Sequence, residues 1–318
     1  MTVGLHPRTA LPRGNRLRLI RKQMRNNWDV YLMVLPGLLL LLMFRYLPMY
    51  GVIVAFKNYN VVRGILGSDW IGFENFQRLT YSFEFKRAFR NTLLLSTIKM
   101  VFGMPVPIIF ALLLNELRNI VYKRITQTIV YIPHFISWVV VGGIFMDLLS
   151  PSTGIVNKLI ESLGGKAIFF MASPRWARTL MVVTDIWKEF GWGTIIYLAA
   201  ITGVDPELYS AAAIDGAGRL RQIIHVTLPA ISNTFVILLV MRLGNIMSGA
   251  NFEQIFIMYN PSIYEQVDIL GTYTYRTAFD TLDFGYTSAV GLFQSVIGCI
   301  LLVSSNMLVK RMGGRGMY

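Results

Sequence analysis

The chemistry open to this chain lies with ionisable residues set inside apolar blocks. Asp185-Ile-Trp-Lys-Glu-Phe-Gly-Trp192 puts three ionisable groups and two tryptophans into about two helical turns. Asp185 stands three residues before Lys188 and four before Glu189, a same-face spacing at which an internal ion pair forms. The other reading is a wet cavity lined by Trp187, Lys188, Glu189 and Trp192. A sugar suits that lining, because its C–H faces stack on aromatic rings while its hydroxyls need polar partners that release them. Arg242 and Asn245 lie about one turn apart in a later block and add to the same candidate pathway; a cation there suits an acidic sugar. Arg45, Lys99 and Asp147 complete the set of charges in or beside apolar sequence. Such groups are costly in hydrocarbon unless they face a bundle interior or water. Lys99 and Asp147 stand near block ends and are expected to snorkel.

Other chemistries lack their residues. No Gly-x-x-x-x-Gly-Lys-Ser/Thr loop occurs, and the nearest run, Gly164-Gly-Lys-Ala167, has neither the spacing nor the hydroxyl that cradle nucleotide phosphates. Energy from ATP must therefore come from a separate subunit. His6, His134 and His225 have no cysteine or carboxylate at ligand spacing, so no metal site is expected. No Gly-x-Ser-x-Gly elbow is present, and the chain is read as a non-enzyme. The sole cysteine, Cys299, falls inside an apolar block.

The elements that must position these residues follow from composition. Of 318 residues, 54% are hydrophobic and 15% charged, with a mean hydropathy of +0.52. The apolar residues gather into six blocks, near 30–56, 90–115, 125–149, 179–202, 230–250 and 285–309, each about the 20 residues needed to cross hydrocarbon. The expectation is an all-α membrane protein of six spans. A basic segment, 1–29, precedes a transmembrane domain, 30–310, with a short tail, 311–318. The first block is longer than a signal-peptide core and ends without small residues, so it is read as a retained span. The net charge of +13 sits largely beside the spans, where anionic lipid explains it and nucleic acid is not required. With six spans, both termini share a side with the loops 116–124 and 203–229. That side carries Arg8, Arg13, Arg16, Arg18, Arg21, Lys22 and Arg25, then Arg118, Lys123, Arg124, Arg219, Arg221, Lys310, Arg311 and Arg315, which points to cytoplasmic termini. The aromatic-rich loops 57–89 and 251–284 fall outside and are read mainly as interfacial belts.

The 203–229 loop contains a polar, alanine-rich run between apolar blocks. Asp205 stands where an N-cap would, Pro206 at the first helical position and Gly216 where a helix would stop. Leu208, Ala211 and Ala212 fall on one face, small enough to press into a groove. Ala211, Ala212, Gly216, Leu228 and Pro229 match, at the right spacing, the signature of Glu-Ala-Ala, three residues, Gly, nine residues, Ile-x-Leu-Pro. Val226 replaces the Ile and Ser210 the Glu, with Glu207 one turn earlier. The run resembles the signature of permease subunits of binding-protein-dependent ABC importers, and Gly72-Phe-Glu-Asn-Phe76 with Asn91-Thr92 resembles the segment before the second span in carbohydrate-uptake permeases.

This resemblance implies a type I importer fold whose coupling helix, 206–217, docks on an ATP-binding subunit. It assigns that contact to Glu207, Tyr209, Ser210, Ala211, Ala212, Asp215, Gly216, Ala217 and Pro229. It also implies a homologous, non-identical second permease, two ATP-binding subunits that hold ATP and magnesium, and an extracytoplasmic solute-binding protein that delivers an oligosaccharide. The implied setting is the bacterial inner membrane. Relatives include permeases for acidic fragments of alginate or pectin. An ion-gradient-driven secondary transporter is the alternative, with Asp185 and Glu189 as coupling acids, but it leaves the 206–214 helix unexplained. A membrane glycosyltransferase has no catalytic constellation here.

Overall fold

The computed structural model describes residues 26–248 and 250–311; the basic segment before Asn26 and the tail after Arg311 lie outside the described residues. The chain divides after Ile53 into two compact units. The first is built on α1 (Trp28–Leu41), none of whose residues is buried. It runs on through a π turn, Leu42–Tyr46, which contains Arg45, into a 3₁₀ stretch, Leu47–Phe56. Pro48 has no N–H to return to residue 44, and helical winding changes at that point.

In the second unit a two-residue ladder pairs Lys57 with Trp70 and Asn58 with Asp69, and α2 (Glu74–Tyr81) follows. The aromatic residues here pack on one another: Phe56 stacks on Trp70 at 5.7 Å and meets Phe73 edge-on at 5.4 Å. Next come α3 (Phe83–Gly103) and α4 (Pro105–Glu116), which together form one apolar stretch of 34 residues. α5 (Ile120–Phe135) and α6 (Trp138–Leu148) meet at 103°, so the straight span expected over 125–149 is in fact broken. Pro133 excludes a continuous ladder, and the Ser137 hydroxyl caps the new helix by accepting from Val140 N.

After α7 (Ile155–Ser162), α8 (Pro174–Thr202) runs 29 residues through the middle of the bundle and packs against α3, α4 and α5. The helix α9 (Pro206–Ile214) follows. Arg219–Gln222, a π turn at Ile223–Thr227 and α10 (Leu228–Gly244) form the next apolar rod. α10 packs on α8 and on the final helix. It stops at Gly244, short of the expected 250; residues 245–248 and 250 are turn, and α11 (Phe252–Met258) follows. α12 (Leu270–Asp280) and α13 (Phe284–Arg311) complete the unit.

Among the described residues four helices are long and apolar enough to cross a membrane, or five if the bent pair α5–α6 counts as one span. The sixth expected span, 179–202, corresponds to α8. At about 1.5 Å per residue α8 is long enough, but Asp185, Lys188 and Glu189 make its composition too polar to stand out.

Outside the spans, Asp268 is fully buried and binds Arg276 at 2.8 Å, with Arg87 at 3.7 Å. The hydrogen bond to Asp268 raises the Arg276 pKa further above its usual value. Asn91 donates to the carbonyls of Glu265 and Asp268, and Thr92 Oγ1 accepts from Leu270 N at 2.8 Å. The Asn91-Thr92 pair thus pins the 260–272 segment to α3.

Lipid tails are as apolar as leucine, so close packing and hydrogen bonds must hold the helices together. Gly191 on α8 touches the α5 backbone: a Cβ there would collide with the Val130 carbonyl and lie 3.2 Å from Tyr131 Cα. Gly143 on α6 has no neighbour within 4 Å. Gly191→Ala is therefore expected to cost about 1–3 kcal/mol, as overpacking does, while Gly143→Ala is neutral or mildly stabilising. Thermal midpoints of the two purified variants in one detergent check this. Equal midpoints would contradict the packing described.

Candidate functional site

Lys99, Asp185, Glu189 and Arg242, of the charges in apolar sequence, line one cavity. It has a volume of about 440 Å³ and is lined by Ser96 and Lys99 of α3, Pro107 of α4, Asp185, Glu189, Trp192 and Tyr197 of α8, and Met241 and Arg242 of α10. Asn245 and Asn251, at either end of the turn after α10, complete the wall. Asn251 has a left-handed φ of 61°, a conformation asparagine tolerates, and its side chain caps α11 by accepting from Gln254 N.

Lys99 does not snorkel. It is 2% exposed, and its ammonium donates to Asp185 Oδ1 at 3.0 Å, to the Ala250 carbonyl at 3.0 Å and to Gln254 Oε1. Three donors thus meet three acceptors, the full capacity of a lysine. The Gln254 amide donates in turn to the Met181 carbonyl and to Thr184 Oγ1, each at 2.7 Å. This network ties α3 and α8 to Ala250 and to the first turn of α11. Irregular backbone is tolerated at membrane depth only where protein or a cavity satisfies it, and Lys99 does so here for Ala250.

The ion pair expected between Asp185 and Lys188 is absent, because Asp185 serves Lys99. Lys188 instead donates to the His134 carbonyl at 2.6 Å and lies over the Trp138 ring. That carbonyl belongs to the last turn of α5, where the break before α6 removes its helical partner. Glu189 contacts His134 Nδ1 at 2.9 Å and Lys188 Nζ at 3.6 Å. The His134 ring stacks on Trp192 at 4.8 Å. Trp187 points elsewhere, packing edge-on against Phe145 at 5.5 Å. Of the six candidate pathway residues, the structure gathers Glu189, Trp192, Arg242 and Asn245 on the cavity wall, directs Lys188 to the α5–α6 break and packs Trp187 against α6. Asp147 is exposed at the end of α6, as expected of a span end.

His134, Gln254, Thr184, Ser96 and Tyr197 were not singled out as site residues by sequence reasoning. Pro133 was a local signal for the break beside His134. Gln254 carried none, since it sits in a segment read as exterior loop.

The second candidate region is α9. Asp205 Oδ1 accepts from Glu207 N at 2.9 Å, and none of the helix is buried. Gly216, at φ +75°, terminates it: Gly216 N bonds to Ala213 O and Ala217 N to Ala212 O, the paired bonds of a left-handed helix stop. Ser210, in place of the signature glutamate, turns its hydroxyl to the Pro206 carbonyl at 3.2 Å. Tyr209 and Thr227 share a hydroxyl hydrogen bond at 3.0 Å, and Arg219 pairs with Glu116. These residues border a second cavity, of about 610 Å³, together with Ala217 and Gln222. Asp215 is the exposed C-cap of α9, and Pro229 opens α10.

With this geometry in hand, comparison with known proteins is informative. Residues 103–314 match the model of the binding-protein-dependent transport system inner membrane component family. Protein LplB of Bacillus subtilis is 45% identical over 92% of each chain. The polygalacturonan/rhamnogalacturonan transport system permease protein YteP of the same organism is 44% identical, over 95% of this chain and 94% of its own. In a crystal structure of a bacterial ABC transporter involved in import of the acidic polysaccharide alginate, one chain superposes with a TM-score of 0.85 at 40% identity, covering 92% of this chain and 98% of that one. A crystal structure of a bacterial alginate ABC transporter in complex with an alginate pentasaccharide-bound periplasmic protein gives 0.86 at 39% identity, covering 93% and 99%.

Removing one member of a buried ion pair strands the other charge and costs about 3–5 kcal/mol, whereas replacing both by apolar groups is far milder. Lys99→Met is therefore expected to be strongly destabilised, and Lys99→Met combined with Asp185→Leu to recover part of that loss. Denaturation midpoints of the purified variants measure both. A Lys99→Met protein as stable as wild type would show that the network holds nothing together.

Proposed function

The chain belongs to the inner membrane components of binding-protein-dependent transport systems, and from that membership we propose that it forms half of the pathway by which an acidic oligosaccharide is imported. As a member it is a multi-pass membrane protein and a transport subunit; the ATPase of such importers is a separate subunit. The similarity to transporters of alginate and of polygalacturonan supports a uronate-containing cargo. The cavity's mixture of aromatic, amide, hydroxyl and cationic groups suits such a sugar.

The observation that carries the coupling assignment is α9 itself, a capped helix with no buried residue, set between the two long helices that wall the cavity. In this reading an ATP-binding subunit receives α9 and the turn through Gly216 and Ala217, on the side of the membrane that also holds both termini. A second, non-identical permease completes the pathway, two ATP-binding subunits hold ATP and magnesium, and a loaded binding protein docks on the opposite face. Closure of the ATPases displaces α9 and with it the ends of α8 and α10, a rigid-body alternation of access. The ion-gradient alternative finds no support: its coupling acids are engaged, Asp185 by Lys99 and Glu189 by His134 and Lys188.

The assignment is tested with Ala212→Arg and Gly216→Leu, the first adding bulk and charge to the docking face and the second forcing a side chain onto a left-handed backbone. Both are expected to cut oligosaccharide uptake at least about tenfold, in line with the loss of one hot-spot contact, and to weaken co-purification of the ATP-binding subunit. The isolated chain should turn over no ATP, while the assembly should be stimulated by loaded binding protein. Undiminished uptake in both variants would overturn the docking role.

A further inference from the structure

Two cations and two carboxylates line the cavity, Lys99, Arg242, Asp185 and Glu189, but they are not all matched with one another. Lys99 is neutralised by Asp185 at 3.0 Å, and Glu189 is matched by Lys188 at 3.6 Å while its other oxygen meets His134. Arg242 remains. It is exposed to the cavity, and among the described residues no carboxylate lies within ion-pair distance of its guanidinium. A Cβ added at Gly103 would come within 3.7 Å of Arg242 Nη1, so the side chain lies across the end of α3 rather than along a lipid-facing groove. A cation facing a wet cavity is tolerated where one in hydrocarbon is not, and it is there free to take an anion, whereas a neutral sugar leaves its charge unanswered.

A second observation comes from the same wall. Ser96 Oγ and Tyr197 Oη are buried without a hydrogen-bond partner, and both residues border the cavity. The residues themselves are 4% and 2% exposed. Buried hydroxyls are nearly always paired, so these two keep unused hydrogen-bonding capacity close to Arg242, which a polyhydroxylated anion takes up once side-chain motion opens them to the cavity.

We propose that Arg242 is the carboxylate-reading residue of the pathway: its guanidinium takes one uronate carboxylate of the passing oligosaccharide, while Ser96, Tyr197 and Asn245 serve the hydroxyls of that sugar and Trp192 offers it an aromatic face. The planar fork of arginine matches a carboxylate bidentately. One such contact, rather than a row of them, confers selectivity without holding the cargo too tightly to pass. The inference rests on the importer reading above but fails separately from it.

The test uses the purified permease–ATPase assembly in nanodiscs, without binding protein, and equilibrium dialysis of two radiolabelled probes: trigalacturonate and the neutral trisaccharide made by reducing its carboxyls. Arg242→Gln should weaken trigalacturonate binding about tenfold or more, the loss expected for a charge-assisted hydrogen bond, and leave the neutral probe within about twofold of wild type on the same scale. Arg242→Lys, which keeps the charge and loses the fork, should fall between. Equal weakening of both probes would mean that Arg242 pairs with an acid of the second permease, and would overturn the proposal. Unchanged trigalacturonate binding would do the same, as would wild-type assembly that binds neither probe. In that last case, acidic-oligosaccharide uptake with binding protein present would still uphold the importer.

Discussion

A lysine ammonium enclosed in a bundle that crosses hydrocarbon must have all its protons taken up, and the way Lys99 meets this demand organises the rest of the molecule. Its acceptors come from α8, from the turn after α10 and from α11. A single charge thereby joins α3, α8 and the stretch that leads into α11, which are far apart in sequence. The geometry of the cavity follows, since Lys99 and Asp185 hold one wall and the Ala250 carbonyl anchors the turn that carries Asn245 and Asn251. Gln254 extends the network to Met181 and Thr184 without leaving an amide proton unused. Partial satisfaction of such a buried network is worse than an apolar core, which is why these residues act as a unit.

Two helix interruptions flank this hub, and both are stabilised by its neighbours. At the α5–α6 break the freed His134 carbonyl is taken by Lys188, and the ring beside it by Glu189 and Trp192. At the end of α10 the unwound backbone is taken by Lys99. Helices broken at mid-membrane offer polar backbone to a pathway without exposing it to lipid. α9 connects, within one loop, the end of α8 to the start of the rod that becomes α10, so a displacement applied there reaches both walls. This linkage is a matter of chain continuity and packing, the kind of route by which rigid elements carry coupling.

The parts of this arrangement legible from the sequence are those governed by local rules. The stop and start of α9 follow from Asp205, Pro206 and Gly216, whose preferences act within one turn. The long helix reads as a span over 179–202 from its apolar run, and the structure begins it at Pro174. Arg242 and Asn245 share a cavity because they lie one turn apart. What was not legible depends on distant partners. Lys99 reads as a snorkelling residue until Asp185, 86 positions later, and Gln254 are seen around it. Asp185 has Lys188 at ideal spacing, yet the burial of Lys99 outweighs an i,i+3 contact worth a few tenths of a kcal/mol. Likewise Lys188 is drawn to a carbonyl that exists as an acceptor only because α5 ends at the break.

The central claim is that the space between α3, α8 and α10 is a water-filled pathway rather than a packing defect. Asn245→Cys in a Cys299→Ala background, within the assembled transporter, tests it most directly, using a membrane-impermeant thiol reagent applied in the resting and ATP-bound states. The account predicts rapid labelling in one state, slowed in the other and slowed again by bound oligosaccharide. A cysteine at 245 that stays unlabelled in both states would contradict it.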